Sequence, residues 1–506
     1  MERDGVSPEI EVTVPLELSV EEMIEQSIGR INFTQILQAI LVSLPTFFDS
    51  QQTFISVFAH AQPTWHCINN TSCTSKSNLC DLPKTNWAWD SVNVHTSIVS
   101  EWDLECTSSI FAGMPATSYF VGCLLGGLVL AALGDSSLGR KNLLCISTLV
   151  MSLAALASAF SPNIWFYSVF RFLCGVGRAP VAICVLVLLT ERVSKRWRAQ
   201  AAMAGFISFS LGILGLTGIA FLTRGFSWRT LYLWTSVPGI ISSVLCYLFL
   251  FESPRWLLMQ GREKDAMAIL RGLGSINSIS PSLPKINTEQ KLPKTNPFIS
   301  LKILLSRRWA VKRLLASMLL AFGIGVMYFG MFLGVGNLGF NIYLTSVFNA
   351  SLSLSSYMLT FLWWIQHCNR RSSLLGFCTL SGATCIIFSV VGKGHLGVVI
   401  PLELVSLFCA CMAYNLVLMY MVELFPTCVR NSASSLVRQA MILGSVFDPM
   451  LVLLGRKSII YSYGTFGLAM LLCGFLVIWL PETRGKVLCD TMEEQELMDE
   501  DGKLSF

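Results

Sequence analysis

The chain has 506 residues, of which 53% are apolar and only 13% are charged. A soluble globular protein carries about 25% charged residues, so this chain cannot face water on all sides. The mean hydropathy of +0.60 agrees with that conclusion. A net charge of +5 is too small for a typical nucleic-acid binder. The same figures exclude a disordered chain, a collagen-like fibre and a small disulfide scaffold, and they indicate a polytopic membrane protein.

Crossing the hydrocarbon core as a helix takes roughly 20 apolar residues. Twelve stretches reach about this length, in two groups of six, and we number them as spans one to twelve. They are residues 33–60, 109–134, 142–160, 164–190, 199–223 and 229–251, then 313–334, 342–366, 374–392, 396–424, 433–454 and 459–480. Strand-like alternation is weak, which argues against a β-barrel. We therefore predict an all-α membrane protein with twelve transmembrane helices in two six-helix halves.

The distribution of Lys and Arg predicts the orientation in the membrane. The segment 252–313 between the halves holds twelve basic residues, whereas the loop 61–108 holds only Lys76 and Lys84. By the positive-inside bias the central segment is cytosolic and the loop lies outside, and an even number of spans leaves both termini in the cytosol. The predicted units are an N-terminal segment 1–32, a half 33–251 that includes the loop 61–108, a central loop 252–312, a half 313–480 and a tail 481–506. The acidic N-terminus lacks the basic region of a cleavable signal peptide, so none is expected.

The loop 61–108 has the composition of a folded extracytosolic cap. Its four cysteines are Cys67, Cys73, Cys80 and Cys106. An even set in an oxidising compartment predicts two disulfides, with three pairings open. A zinc site is the alternative, but the loop has no Cys-x-x-Cys pair, so no metal is expected. Overlapping sequons begin at Asn69 and Asn70, which we predict to be glycosylated.

Several charged residues fall at membrane depth, where an ionised group costs roughly 2.5–3.5 kcal/mol unless it faces a cavity or a partner. They are Asp49 in span one, Arg171 and Arg178 in span four, Glu403 in span ten, and Arg438 and Asp448 in span eleven. Internal neutralisation is one interpretation of this set. The other is a role in substrate binding or coupling, and we expect Asp49, Arg178 and Arg438 to lie near the substrate.

Aromatic side chains matter if the substrate is a cation, because their faces bind ammonium groups with roughly 0.5–2 kcal/mol each. The candidates are Tyr328 in span seven, Trp363 and Trp364 in span eight and Tyr414 in span ten. Ordinary packing is the alternative for each of them. We place the predicted site between spans one, four, seven, eight and eleven.

Six short motifs lie where this topology places loops and span ends. They are Glu101–Cys106, Gly134–Lys141 after span two, Glu252–Leu257 after span six, Asn337–Leu344 between spans seven and eight, Glu423–Asn431 after span ten, and Pro481–Gly485 after span twelve. Together they resemble the organic cation/carnitine transporter family of the major facilitator superfamily. The stretches 47–58 and 488–496 are similar to its plant branch. The resemblance covers nearly the whole chain.

The resemblance implies a secondary transporter that moves small organic cations or zwitterions, such as choline or carnitine, by alternating access. The sequence contains no hydrolase elbow and no zinc-binding helix, so no enzymatic activity and no cofactor are expected. The expected coupling ion is H⁺ or Na⁺, and the expected location is the plasma or the vacuolar membrane. The resemblance further implies a gating or coupling role for a set of charged residues on the cytosolic side and in span four. These are Asp135, Arg140, Lys141, Arg171, Glu423 and Arg430.

Three departures from the family pattern affect those expectations. In the family, the loop after span two and its copy in the second half hold the two halves together in the outward-facing state. Here the first loop lacks the Arg after Asp135, and the second copy at 367–371 is degraded, so a weaker latch between the halves is expected. The span-eleven charge that helps animal relatives to choose between cations and anions corresponds to Ile442. The charge of the substrate therefore cannot be carried over from that position.

Two alternative functions remain open at this stage. A sugar porter-like solute/H⁺ symporter shares the motifs after spans six and twelve, although the large cysteine-bearing loop argues against it. A nutrient sensor that binds without transporting is the second alternative, suggested by the altered latch loops. An ATP-driven pump is excluded because the sequence contains no Gly-x-x-x-x-Gly-Lys-[Ser/Thr] loop.

Overall fold

The computed structural model describes residues 32–68, 79–90, 94–130, 138–193, 195–273, 297–338, 340–391, 396–485, 489 and 491–504. The predicted N-terminal segment lies almost entirely outside this range. So do four of the predicted functional positions, namely Asn69, Asn70, Cys73 and Asp135.

The first half of the chain forms six long helical segments. They comprise Phe33–Phe54 with Ser56–Ala59 (span one), Ser109–Leu130 (two), Arg140–Ala159 (three), Ile164–Arg178 with Val181–Glu191 (four), Arg198–Leu222 (five) and Trp228–Phe249 (six). Local signals explain several of their boundaries. Asn163 accepts hydrogen bonds from the backbone amides of Trp165 and Phe166 and so caps span four. Span four is interrupted at Pro180, which has no amide to donate to the helix.

The second half repeats the pattern with more irregular helix ends. It comprises Arg308–Leu333 with a 3₁₀ turn Gly334–Asn337 (span seven), Ile342–Leu359 with a π-helical stretch Thr360–Trp364 and Ile365–His367 (eight), Arg370–Val391 (nine), Leu396–Leu424 (ten), Thr427–Leu454 (eleven), and Ile460–Gly464, Thr465–Gly474 and Phe475–Trp479 (twelve). In the described part of the chain, ten helices are long and apolar enough to cross a membrane. The remaining two spans are one and eight, which bury many polar side chains.

Some helices begin before the apolar stretch that predicted them. Spans seven, nine and eleven start at Arg308, Arg370 and Thr427, four to six residues early. A hydropathy pattern detects only the apolar part of a helix, whereas the first turns here are charged or polar and lie at the membrane edge. The central segment also contains helices Pro254–Met259, Glu263–Leu273 and Pro297–Ser306, and the tail contains Met492–Leu504.

The cap contains the only strands of the described residues, which adds a small sheet to the predicted all-α fold. Strands β1 (Trp65–Cys67) and β2 (Trp87–Trp89) pair antiparallel. Cys80 forms a disulfide with Cys106, and Cys67 is also disulfide-bonded. We call the side of the molecule that carries the cap the cap face, and the side that carries residues 252–273, 297–307, 480–485 and 491–504 the tail face.

The two halves meet along two pairs of helices. Span two packs along span eleven, and span five packs along span eight. In the second of these seams, Ser210 Oγ donates a hydrogen bond to Ser353 Oγ at 3.2 Å, and the rings of Phe206 and Tyr357 lie 5.1 Å apart. At the cap face the end of span one also contacts span seven, where the ring centroids of Phe54 and Phe332 are 5.0 Å apart.

Candidate functional site

A buried ion pair joins spans one and four at membrane depth. Arg178 Nε donates to Asp49 Oδ1 at 2.5 Å, and Asp49 is fully buried. The guanidinium of Arg178 also contacts the thiol of Cys123 at 3.7 Å. Asp49 Oδ2 has no hydrogen-bond partner among the described residues. Each charge thus has a counter-charge, but one carboxylate oxygen still lacks a donor.

Arg171 lies next to this pair but contacts only neutral groups. Its Nη2 donates to the backbone carbonyl of Gln52 at 3.0 Å, and its guanidinium carbon lies 4.3 Å from the ring centroid of Tyr119. The hydroxyl of Tyr119 is 2.8 Å from Thr53 Oγ1, which in turn donates to the backbone carbonyl of Asp49. Arg171 therefore holds the polar face of span one in place without neutralising another charge.

Arg438 of span eleven adds a further positive charge to the same region. It interacts electrostatically with Asp49, Arg178 and the hydroxyl of Tyr414. Its side chain is half-buried, and none of the hydrogen bonds or ion pairs found among the described residues involves it. The ring of Tyr414 stacks on Tyr328 with centroids 4.3 Å apart. One carboxylate and three guanidinium groups thus meet beside an aromatic wall.

Trp363 and Trp364, which were predicted candidates for binding a cationic substrate, lie outside this cluster. Both lie in the π-helical stretch of span eight. Trp363 is 48% exposed and stacks on His367, while Trp364 packs against Phe377 of span nine. The wider π turn rotates the side chains relative to a regular helix, and periodicity could not have revealed this.

At the tail face of the first half, two glutamates link three span ends. Arg140 forms an ion pair with Glu191 at the end of span four. Ser253 Oγ donates to the same carboxylate at 2.5 Å. Glu252 accepts the backbone amide of Lys141 at 3.1 Å. Gly139 has a φ of +82°, and a Cβ there would lie 2.4 Å from Glu252, so this turn needs glycine.

The second half repeats that arrangement with different residues. Arg370 pairs with Glu423 at 3.2 Å, and Thr483 Oγ1 donates to Glu423 at 2.6 Å. Glu482 accepts the backbone amides of Arg370 and Arg371 at 2.9 and 3.0 Å. The loop at 367–371, although its motif is degraded, therefore makes the same kinds of contact as the loop at Gly139–Lys141 in the first half. These contacts were not predicted from the sequence. The pair Glu252-Ser253 after span six and the similar pair Glu482-Thr483 after span twelve could have indicated them.

Arg430 occupies a different position from the other gating candidates. Its Nε donates to the backbone carbonyl of Phe425 at 3.3 Å, and its Nη2 lies 3.4 Å from Thr427 Oγ1. These contacts stabilise the turn between spans ten and eleven. Lys141 likewise contacts its own half, with Nζ 5.6 Å from the ring centroid of Tyr247.

The halves are joined at the cap face by contacts that sequence reasoning did not anticipate. Arg456, after span eleven, donates to the backbone carbonyl of His60 at 2.9 Å. The rings of Phe58 and Tyr343 stack at 5.7 Å. At the tail face, by contrast, the ion pairs Arg140–Glu191 and Arg370–Glu423 each stay within one half. The described conformation is closed at the cap face.

The cap is anchored to the membrane domain through Glu101. Its carboxylate accepts hydrogen bonds from Arg229 at 2.5 Å and from the indole of Trp228 at 2.7 Å. Burial alone would raise the pKa of Glu101, but these hydrogen bonds outweigh burial and hold its pKa below the usual range. Within the described ranges, no three His, Cys, Asp or Glu side chains come together as metal ligands.

Comparison with known proteins agrees with this architecture. A family model described as "Sugar (and other) transporter" matches residues 41–494. "Organic cation/carnitine transporter 3" of Arabidopsis thaliana is 50% identical over 96% of this chain and 95% of that protein. "Organic cation/carnitine transporter 2" of Mus musculus is 32% identical, over 81% of this chain and 73% of that protein.

The chain belongs to the organic cation/carnitine transporter family. Its fold matches the inward-open conformation of the xylose transporter XylE from E. coli, with a TM-score of 0.65, 17% sequence identity and coverage of 92% of this chain and 99% of that one. The predicted major facilitator fold, with twelve helices in two halves, is thereby confirmed. As a member of this family, the chain is a membrane-embedded secondary transporter and not an enzyme.

Proposed function

We propose that this transporter moves small zwitterions or cations of the carnitine or choline type through the site around Asp49, Arg178 and Arg438. The relatives in Arabidopsis and mouse are named for organic cations and carnitine. The charge set of the site supports the zwitterion over the simple cation. An excess of guanidinium groups over carboxylates at membrane depth is costly, and a substrate carboxylate would relieve it.

The observation that carries this proposal is the half-buried guanidinium of Arg438 beside the stacked rings of Tyr328 and Tyr414. An arginine binds a carboxylate through two parallel N–H donors, which gives both strength and orientation. The half-buried ring of Tyr414 suits a trimethylammonium group, because cation–π attraction adds roughly 0.5–2 kcal/mol. Tyr328 is buried and supports Tyr414 by stacking against it. A carnitine molecule has both groups within one short chain.

The proposal also includes the orientation of the transporter in the membrane and the ion that drives transport. We place the cap face outside and the tail face in the cytosol, because the basic central segment lies on the tail face. The membrane is the plasma or the vacuolar membrane, and H⁺ or Na⁺ is the coupling ion. The pair Asp49–Arg178, together with Arg171, lies where substrate binding can change its environment, so these residues serve binding and coupling together.

The test compares two substrates in one variant. Arg438→Ala should reduce carnitine uptake into proteoliposomes at least tenfold and choline uptake less than threefold, since only carnitine carries a carboxylate for Arg438 to bind. Arg224→Ala, at the cap face beside Phe221, is the matched control and should leave both uptakes near wild type. Equal losses for carnitine and choline in Arg438→Ala would contradict a carboxylate contact.

A further inference from the structure

Glu403 of span ten and Asn349 of span eight contact each other inside the second half, away from the Asp49–Arg178 pair. Both side chains are buried, with Asn349 0% and Glu403 3% exposed. Asn349 Nδ2 donates to Glu403 Oε1 at 3.4 Å. The other polar atom of that amide, Asn349 Oδ1, is buried and has no hydrogen-bond partner in the described ranges.

This geometry favours a protonated Glu403. A carboxylate only accepts hydrogen bonds, so an ionised Glu403 leaves Asn349 Oδ1 unpaired, at a cost of about 1–3 kcal/mol for a buried polar group. A neutral carboxylic acid can accept from Nδ2 and donate its O–H to Oδ1 of the same amide. The proton therefore completes a two-bond pair that the carboxylate cannot form.

The neighbours of Glu403 provide no counter-charge for an ionised carboxylate. The titratable groups that face it are the thiol of Cys385 in span nine, the thiol of Cys411 in span ten and the phenol of Tyr463 at the start of span twelve. All three are neutral at physiological pH. Among the described residues, the ion pairs do not include Glu403. Only a proton or a bound cation can then neutralise it.

The Glu403–Asn349 pair adjoins the seam between the two halves. Asn349 and Ser353 are one turn apart on the same face of span eight. Ser353 accepts the hydrogen bond from Ser210 of span five at 3.2 Å, across the interface. A movement of one half against the other would change the surroundings of this face of span eight. The affinity of Glu403 for a proton would change with it.

We propose that Glu403 and Asn349 form a reversible proton-binding site, and that this site couples proton movement to the transport cycle. The inference rests on the proposed transport function for its coupling role. Protonation forms an O–H bond on the carboxylate of Glu403, with the proton taken from water on one side of the membrane. Deprotonation breaks that bond and returns the proton to water on the other side.

Infrared spectroscopy of the purified full-length protein tests proton binding without any substrate. The wild type should show carbonyl absorption from buried carboxylic acids at neutral pH, and Glu403→Gln should lose the component of that absorption that belongs to Glu403. Asp448→Asn is the matched control, because Asp448 is also fully buried and neither of its oxygens has a partner in the described ranges. The Glu403 band should survive in that control. A Glu403→Gln spectrum identical to that of the wild type would overturn the proposal.

Proteoliposomes that contain a pH-sensitive dye test the coupling. An inward proton gradient should stimulate wild-type carnitine uptake at least fivefold and acidify the lumen. Glu403→Gln should keep carnitine exchange at equal pH but lose that stimulation. Stimulation that persists in Glu403→Gln, or a wild type driven by a Na⁺ gradient alone, would overturn the coupling role. If the wild type moved no carnitine at all, the proposed substrate would fail, while the infrared result would still decide whether Glu403 binds a proton.

Discussion

At the tail face, the two halves of the chain hold the same set of contacts. An arginine at the start of a span pairs with a glutamate at the end of another, as Arg140 does with Glu191 and Arg370 with Glu423. At membrane depth the halves differ, because the ion pair Asp49–Arg178 lies entirely in the first half. The duplicated contacts hold the ends of the helices together in both halves. The unduplicated charges mark the region where chemistry specific to the substrate is expected.

The largest effect should come from breaking the unduplicated pair. Asp49→Ala leaves the buried guanidinium of Arg178 without its counter-charge, so the free energy of unfolding should fall by about 3–5 kcal/mol. The double variant Asp49→Ala/Arg178→Ala removes both charges, so its free energy of unfolding should fall less than that of Asp49→Ala or of Arg178→Ala alone. Thermal unfolding of the detergent-purified protein measures all three. Losses that simply add would show that the two residues do not act as a pair.

Breaking the duplicated contacts at the tail face should lower the stability less, and by similar amounts in the two halves. Glu191→Gln and Glu423→Gln each weaken charged hydrogen bonds to an arginine and a hydroxyl group, so each should lower the free energy of unfolding by about 1.5–3 kcal/mol. Glu493→Gln is the control, since Glu493 is 68% exposed, its partner Arg307 is 42% exposed, and such surface pairs contribute about 0–1 kcal/mol. Thermal unfolding compares the three variants. A neutral Glu423→Gln beside a damaging Glu191→Gln would show that the second copy has lost its role.

The spans and the charged residues within them could be predicted from the sequence, but most of their contacts could not. An apolar stretch of about 20 residues is a local property, and so is a charge inside it. Whether Asp49 meets Arg178 or Arg438 depends on how spans one, four and eleven pack. The pair Arg370–Glu423 was missed because motif spacing was judged within one loop, while this contact joins two segments 53 residues apart. The exposure of Trp363 and the packing of Trp364 on Phe377 likewise depend on tertiary contacts, which hydropathy does not specify.

The smallest effect is expected in the cap, which has no counterpart in the second half. Glu101→Gln keeps an oxygen that can accept from Trp228 but loses the charge opposite Arg229, so it should destabilise the protein by about 1.5 kcal/mol at neutral pH. The folded-state pKa of Glu101 lies below its unfolded value. The stability that the carboxylate contributes is therefore complete above the unfolded-state pKa of about 4.3 and is lost as the pH falls through the folded-state pKa.

Unfolding temperatures of the wild type and Glu101→Gln should accordingly differ at pH 7 and converge in acid. Arg262→Ala is the control, because the ion pair of Arg262 with Asp265 is exposed on both sides. Water and salt screen such a pair, so its removal should change the unfolding temperature little at any pH. A gap between the wild type and Glu101→Gln that stays constant from pH 7 into acid would mean that Glu101 acts through packing and not through its charge. The cap would then be held to span six by the ring contacts of Trp102 and Trp228, whose centroids lie 5.6 Å apart.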